Sequence, residues 1–380
     1  MSKIRAFRIA VPARALTDLK RRLAHTRWPE RETPGGWSQG VPLSYMRELC
    51  AYWRDDYDWR RCEAELNTLP QYVTELDGLD IHFLHVASPH RNALPLVLTH
   101  GWPGSIVEFT KVIGPLTNPT AYGGNADDAF HLVVPTLPGY GFSGKPSLSG
   151  WTMERIGRAW GQLMARLGYA SYVAQGGDWG SAVTHSIGLS ELEHCRGIHV
   201  NLPLVSPSPA LMTNLTEQER SALARIERYF AWDYGTAKVH STRPQTLGYG
   251  LVDSPAGLCA WIVEKYWAWM DCNGHPENVL SRDELLDNVM LYWLTATGAS
   301  SARICWESFA TLIGDRTPIT MPVGVSIYPQ EIFRASRRWC EERYTQLIHY
   351  NTLDKGGHFA AFEQPALFVS ELRTCFRQLR

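Results

Sequence analysis

Tyr172-Val173-Ala174-Gln175-Gly176-Gly177-Asp178-Trp179-Gly180-Ser181-Ala182 reads as a short apolar strand, a forced turn and the opening of a helix. Small residues stand two before and two after Asp178. That is the spacing of a nucleophile elbow, in which the central residue is held in a strained conformation and its neighbours must leave room. Most such turns carry serine at the centre; here it is a carboxylate. A serine that attacked an sp3 carbon would leave an ether that water cannot readily cleave, whereas an aspartate leaves an ester that it can. Read alone, the stretch could equally be a turn aspartate capping a helix, and a lone G-x-x-x-G pattern is a weak signal. The rest of the chain has to decide.

Working outward, residues 94–99 (LPLVLT), 131–137 (HLVVPTL), 172–175 (YVAQ) and 197–201 (GIHVN) are apolar runs. Amphipathic segments such as 105–116 and 153–168 separate them. Apolar strands buried on both faces and alternating with helices imply a mostly parallel, doubly wound sheet of the α/β class. From 206 to 297 the strands stop and only helical segments follow (215–234, 257–270, 282–297). Strand patterns resume at 322–328 and 347–354, and a helix closes the chain from 365 to 379. The helical stretch is best read as a cap over the carboxyl edge of the sheet, where open α/β folds bind ligands. Before the sheet, 72–88 alternates around Asp77-Gly78, a strong hairpin signal. Residues 1–70 hold an amphipathic helix (13–25), a Trp/Pro/Gly-rich passage and a helix-like run over 43–59, an extension wrapped on the body. The expected organisation is therefore an extension over 1–70, a core from 71–205 and 298–380, and a cap over 206–297.

The 380 residues carry a formal net charge of −1, which gives no reason to expect nucleic acid or an anionic membrane as partner. Eight cysteines are scattered without a C-x-x-C pair, arguing against a zinc site and a disulfide framework. They read as reduced, buried thiols of a cytoplasmic protein. The N-terminus has no sustained apolar run, so neither a leader nor an anchor fits it. Fifteen tryptophans include a cluster in the cap, where most would serve packing and some would face a pocket.

An ester on Asp178 needs a base to activate water. His358, preceded by Gly356-Gly357 just after the last strand, is the histidine whose context fits. The acid that fixes its tautomer should follow the strand over 322–328, where Glu331 stands; Asp354 competes but lies only four residues before the histidine. Nucleophile, acid, histidine is the chain order of α/β-hydrolases. In that fold His100-Gly101-Trp102-Pro103-Gly104 would supply one oxyanion donor, the Trp102 N–H, and the residue after the nucleophile, Trp179, the other.

With these residues in place the chain resembles the microsomal-type epoxide hydrolases of the α/β-hydrolase superfamily. The resemblance is carried by TRWP (26–29), GGW (35–37), HGWPGS (100–105), LPGYGFS (137–143), GGDWG (176–180), STRPQTLGYGLVDSP (241–255) and GGHFAAFEQP (356–365). It implies an α/β-hydrolase fold with an inserted helical cap, no cofactor, and an epoxide opened to a vicinal diol by Asp178, His358 and Glu331. It also implies two cap tyrosines over the epoxide oxygen, but here those positions hold Thr236 and Cys305. Tyr234 is two residues off, about 200° away on a helix. His240, four residues after Thr236, could share its face and donate instead. The alternatives are a dehalogenase, in which Trp179 and Trp306 would hold a leaving halide, and a ligand-binding protein with little turnover. The expected partner is a small, bulky and apolar epoxide, with neither nucleic acid nor membrane; a homodimer is kept open.

Overall fold

The computed structural model describes residues 3–380 apart from 191, 193 and 313. Among the described residues nine strands form one sheet: β1 (Arg5–Ala6), β2 (Gln71–Leu76), β3 (Leu79–Val86), β4 (Leu94–Thr99), β5 (Phe130–Pro135), β6 (Tyr172–Gly176), β7 (Cys195–Val200), β8 (Ile319–Ile327) and β9 (Tyr344–Thr352). Their order is β1-β2-β3-β5-β4-β6-β7-β8-β9. Pairing is antiparallel from β1 to β5 and parallel from β5 through β9. The hairpin expected at Asp77-Gly78 is there, with both residues at positive φ (49° and 81°), the backbone twist that matches paired strands.

Every residue of β6 is buried, because helices cover both faces of the sheet. Met153–Arg166 and Asp178–Leu189 pack together on one face, and Thr110–Thr117 and Pro365–Phe376 on the other. After β4 the chain goes to β5 on one side and returns to β6 on the other. The carboxyl ends of β4 and β6 therefore flank a topological switch point, the place where such sheets bind ligands. Gly101 and Trp102 follow β4, and Asp178 follows β6.

Between β7 and β8 lies a helical layer running from Pro209–Met212 to Gly298–Leu312. The expected cap boundary at 297 moves outward, since Gly298–Leu312 packs chiefly on Gly235–Thr242 and Pro244–Asp253 and bridges to the core through Ser300 and Ser308, which bond Gly139 and Met153. The extension also differs in detail. Residues 43–59 break into Leu43–Asp55 and Trp59–Leu66, because the Asp58 side chain caps the second helix through the Arg60 N–H. The start of the chain adds an edge strand, β1. The extension leans on the cap as well as the sheet: Trp37 stacks on Trp267 at 5.1 Å, and Tyr57 Oη and Arg61 Nη2 donate to Asp287 at 2.6 and 2.7 Å. Among the described residues no helix is long and apolar enough to cross a membrane.

Candidate active site

Asp178 sits at φ 50° between β6 and its helix, a left-handed conformation that a non-glycine residue adopts only when its surroundings impose it. They do so through tight contacts. A Cβ on Gly180 would lie 1.9 Å from the Thr99 carbonyl oxygen, and one on Gly101 would lie 2.1 Å from Asp178 Oδ1. Only glycine lets the helix start against β4 and the carboxylate swing over residue 101.

The Trp102 N–H donates to Asp178 Oδ1 at 2.6 Å. Asp178 Oδ2 faces His358 Nε2 at 3.1 Å, and His358 Nδ1 faces Glu331 Oε1 at 2.7 Å. The geometry thus brings together the three side chains named from sequence. The second expected donor, the Trp179 N–H, belongs to the helix's first turn, and among the described residues it makes no hydrogen bond to Asp178. Glu331 is fully buried and also accepts from the Ile332 N–H at 2.6 Å. Its loop is tied to the cap by Arg225, which donates to the Glu331 carbonyl at 2.6 Å and to that of Gln330. Burial alone would push the His358 imidazole down; the carboxylates of Glu331 and Asp178 outweigh it and lift the group well above the usual histidine range.

A cavity of about 80 Å³ lies over Asp178, lined by Trp102, Trp179, Tyr229, Thr236, His240 and Cys305 among others. The Trp261 indole N–H donates to His240 Nε2 at 3.0 Å, so a neutral ring carries its proton on Nδ1. That nitrogen is 4.0 Å from Cys305 Sγ. Burial, with Lys265 nearby, pushes His240 down to about 3, and the ring is neutral at ordinary pH. Burial and the Asp178 charge raise the Cys305 thiol well above its normal range.

Two expectations for the cap are corrected. Trp306 is 53 % exposed and lines a separate surface cleft with Arg243 and Glu307; one position beyond Cys305 on a helix, it points about 100° away from the nucleophile. The indole that the halide reading assigned to Trp306 is thus not at the site, although Trp102 and Trp269 line the cavity beside Trp179. Tyr234 does not line the cavity either; its ring packs against Phe230 and Phe309. Sequence reasoning missed Tyr229, a cavity-lining phenol in the π-helical turn Tyr229–Asp233. The extra residue in that turn shifts the helix phase, so counting from the S-T-R-P segment could not reach it. It also missed Glu108, buried beside the triad. The one signal was an acid in an otherwise apolar run after HGWPGS.

A doubly wound sheet with a carboxylate elbow, a buried acid and a histidine in that chain order defines an α/β hydrolase. The chain matches the model for the epoxide hydrolase N terminus over residues 4–109 and that for the alpha/beta hydrolase fold over 95–234. It is 57% identical over 377 residues to a protein of Stigmatella aurantiaca (strain DW4/3-1) named "Putative epoxide hydrolase", covering 99% of this chain and 86% of the relative. It is 33% identical to epoxide hydrolase 1 of Sus scrofa, covering 97% and 88%. The solved structure of Aspergillus niger epoxide hydrolase superposes with a TM-score of 0.90 at 32% identity, covering 100% of this chain and 97% of that one. The chain belongs to the epoxide hydrolase family.

Proposed function

We propose that this epoxide hydrolase works through a covalent ester on Asp178. Oδ2 attacks an epoxide carbon and the C–O bond opens, while Oδ1, held by the Trp102 N–H, becomes the ester carbonyl oxygen. The departing oxygen is a strong base and needs a donor. The Tyr229 hydroxyl, which has no protein partner among the described residues, and the His240 Nδ1–H line the same cavity and take the role of the missing tyrosines. A neutral imidazole can polarise oxygen in this way without being an acid. Esterification removes the Asp178 charge, one of the two that keep the proton on His358; that proton passes to the opened epoxide's oxygen, making good what the cap donors gave, and leaves the imidazole a base. His358 then takes a proton from water, the hydroxide adds to the ester carbon, and the Trp102 and Trp179 N–H groups hold the tetrahedral oxyanion. Collapse frees the diol and regenerates the carboxylate; of the two water protons, one passes through His358 to the second hydroxyl and the other, left on the carboxyl, restores the proton on His358.

The observation that carries this reading is the line Asp178 Oδ2–His358 Nε2, His358 Nδ1–Glu331 Oε1, with the nucleophile at positive φ. Asp178→Asn should abolish turnover, and a single turnover in heavy-oxygen water should label the enzyme carboxylate before the product. A first-turnover diol already bearing the label, with Asp178 unlabelled, would sink the proposal.

The chamber of about 80 Å³ is small against the ~300 Å³ or more of a pocket enclosing a drug-sized ligand. Thr236 lines both this chamber and an outer cleft of about 720 Å³ walled by Trp37, Trp232 and Trp261. The substrate we infer is an epoxide near the end of a longer apolar molecule, its tail passing Thr236 into the cleft. Eight free cysteines, seven of them buried, suit a reducing compartment, and the cytoplasm is the location we assign.

A further inference from the structure

On the sheet side of Asp178, away from the cap, the chain encloses a second cavity of about 20 Å³ lined by Glu108, Gln175, Asn201, Asp178, His358 and Gly104, among others. One water needs about 10–15 Å³ and two to four polar partners. The residues that supply them are fixed in place. Ser105 caps the turn Ile106–Phe109 through the Val107 N–H and folds Glu108 back under Gly104, where a Cβ would lie 2.7 Å from Glu108 Oε2. Gln175 Nε2 donates to Asn201 Oδ1 at 2.9 Å, which leaves Gln175 Oε1 buried without a partner. Asn201 Nδ2 in turn faces Glu331 Oε2 at 3.5 Å.

Glu108 has no cationic partner among the described residues. Burial, reinforced by the Asp178 charge and opposed by that of His358, pushes its carboxyl up to about 8, so near neutral pH it is the acid form, able both to donate and to accept. The ester hydrolysis proposed above asks for such neighbours. A water that gives one proton to His358 and a lone pair to the ester carbon has a second O–H and a second lone pair, and unless both are engaged it rotates out of line.

We propose that Glu108 and Gln175 hold the hydrolytic water in this cavity, Gln175 Oε1 accepting its second O–H and the Glu108 carboxyl donating to its spare lone pair. Epoxide and water thus reach Asp178 from opposite sides. Glu108 serves the second chemical step and not the first. No bond to Glu108 forms or breaks; the water proton goes to His358 and from there to the diol oxygen.

The inference rests on the ester reading, and the test separates the two. An epoxide that the wild type turns over, chosen from a panel of terminal alkyl and aryl epoxides, is mixed with wild type, Glu108→Gln, Glu108→Ala, Gln175→Leu and the trap variant His358→Ala. Samples are quenched in acid and the protein mass read for the adduct. Losing one positioned hydrogen bond should slow ester hydrolysis about tenfold in Glu108→Gln and Gln175→Leu and up to about a hundredfold in Glu108→Ala. The adduct should accumulate while the alkylation rate stays within about threefold of wild type. Thermal melts establish that each variant folds. Unchanged adduct lifetimes, or both steps slowed alike, would overturn the role of Glu108 alone. No adduct even in His358→Ala would overturn the ester reading and this inference with it.

Discussion

The proton on His358 is held by the two carboxylates it faces, so its titration reports the state of Asp178. In Asp178→Asn, a neutral stand-in for the ester, one of those charges is gone and the His358 imidazole should lose its proton at lower pH than in wild type. Histidine NMR titration of both proteins measures this, and an unchanged His358 would contradict the proposed switch. In the cap, Tyr229→Phe and His240→Phe should each slow alkylation by about ten- to a hundredfold, the range for losing one donor aimed at a developing oxyanion. The adduct lifetime should barely move. Thr236 lines both cleft and chamber, so on the proposed tail path Thr236→Tyr should lower kcat/KM for long-tailed epoxides and keep that for short ones. Asp178, His358 and Glu331 were legible because each follows a strand whose pattern is plain and whose chain order is diagnostic. Of the two oxygen donors proposed above, His240 could be reached by its spacing from Thr236, and Tyr229 could not. Which way a cap side chain faces depends on helix phase, and one π-helical turn moved Tyr229 into the chamber without leaving a mark in the hydrophobic pattern.

Two elements hold the site in shape. At the start of the Asp178 helix, Gly180 meets the backbone of β4, and the atoms that a new Cβ would strike belong to the main chain. Gly180→Ala should therefore cost several kcal/mol, about 3 or more by analogy with overpacked cores, seen as a lower thermal midpoint or as failure to fold. The first long cap helix, Glu217–Arg228, is tethered to the core by Glu219, which closes a capping box with Thr216 and accepts from Ser336 Oγ and Arg338 Nε, both at 2.6 Å. Arg338 chiefly, with Ser336 and Thr216, holds the Glu219 carboxyl down to about 2 from an ordinary 4.5. A depressed acid stabilises the fold above its unfolded pKa and ceases to as pH falls through the folded one. The tether should thus be intact at neutral pH and weaken between about 4.5 and 2. Discounted for the exposure of Arg338, it contributes about 1–2 kcal/mol. Glu219→Gln should lower the midpoint at pH 7 and leave less acid dependence in that window than wild type shows.

For the whole molecule, the sheet, the insertion point of the cap and the hairpin at 77–78 could be read from periodicity, since each is a local pattern. The seating of the extension could not. It depends on contacts between segments more than two hundred residues apart, such as Tyr57 and Arg61 with Asp287 or Tyr52 with Asp283. Asp287 is buried, so Asp287→Ala strands the Tyr57 phenol at the seam between extension and cap and leaves Arg61 only its pairs with Glu65 and Asp283. Its expected cost is about 2–4 kcal/mol, with faster hydrogen exchange in Arg282–Leu294 as the local signature. Unaltered exchange there would mean that the seam is held by packing alone.

In the reaction proposed above, Cys305 shares a chamber with molecules that alkylate nucleophiles. A thiolate there would be poisoned by the enzyme's own substrates, one turnover at a time. Desolvation chiefly, and the neighbouring carboxylate with it, keep the sulfur protonated and inert, so the charge proposed to do the chemistry also guards its neighbour, and burial alone guards it for the lifetime of each proposed adduct.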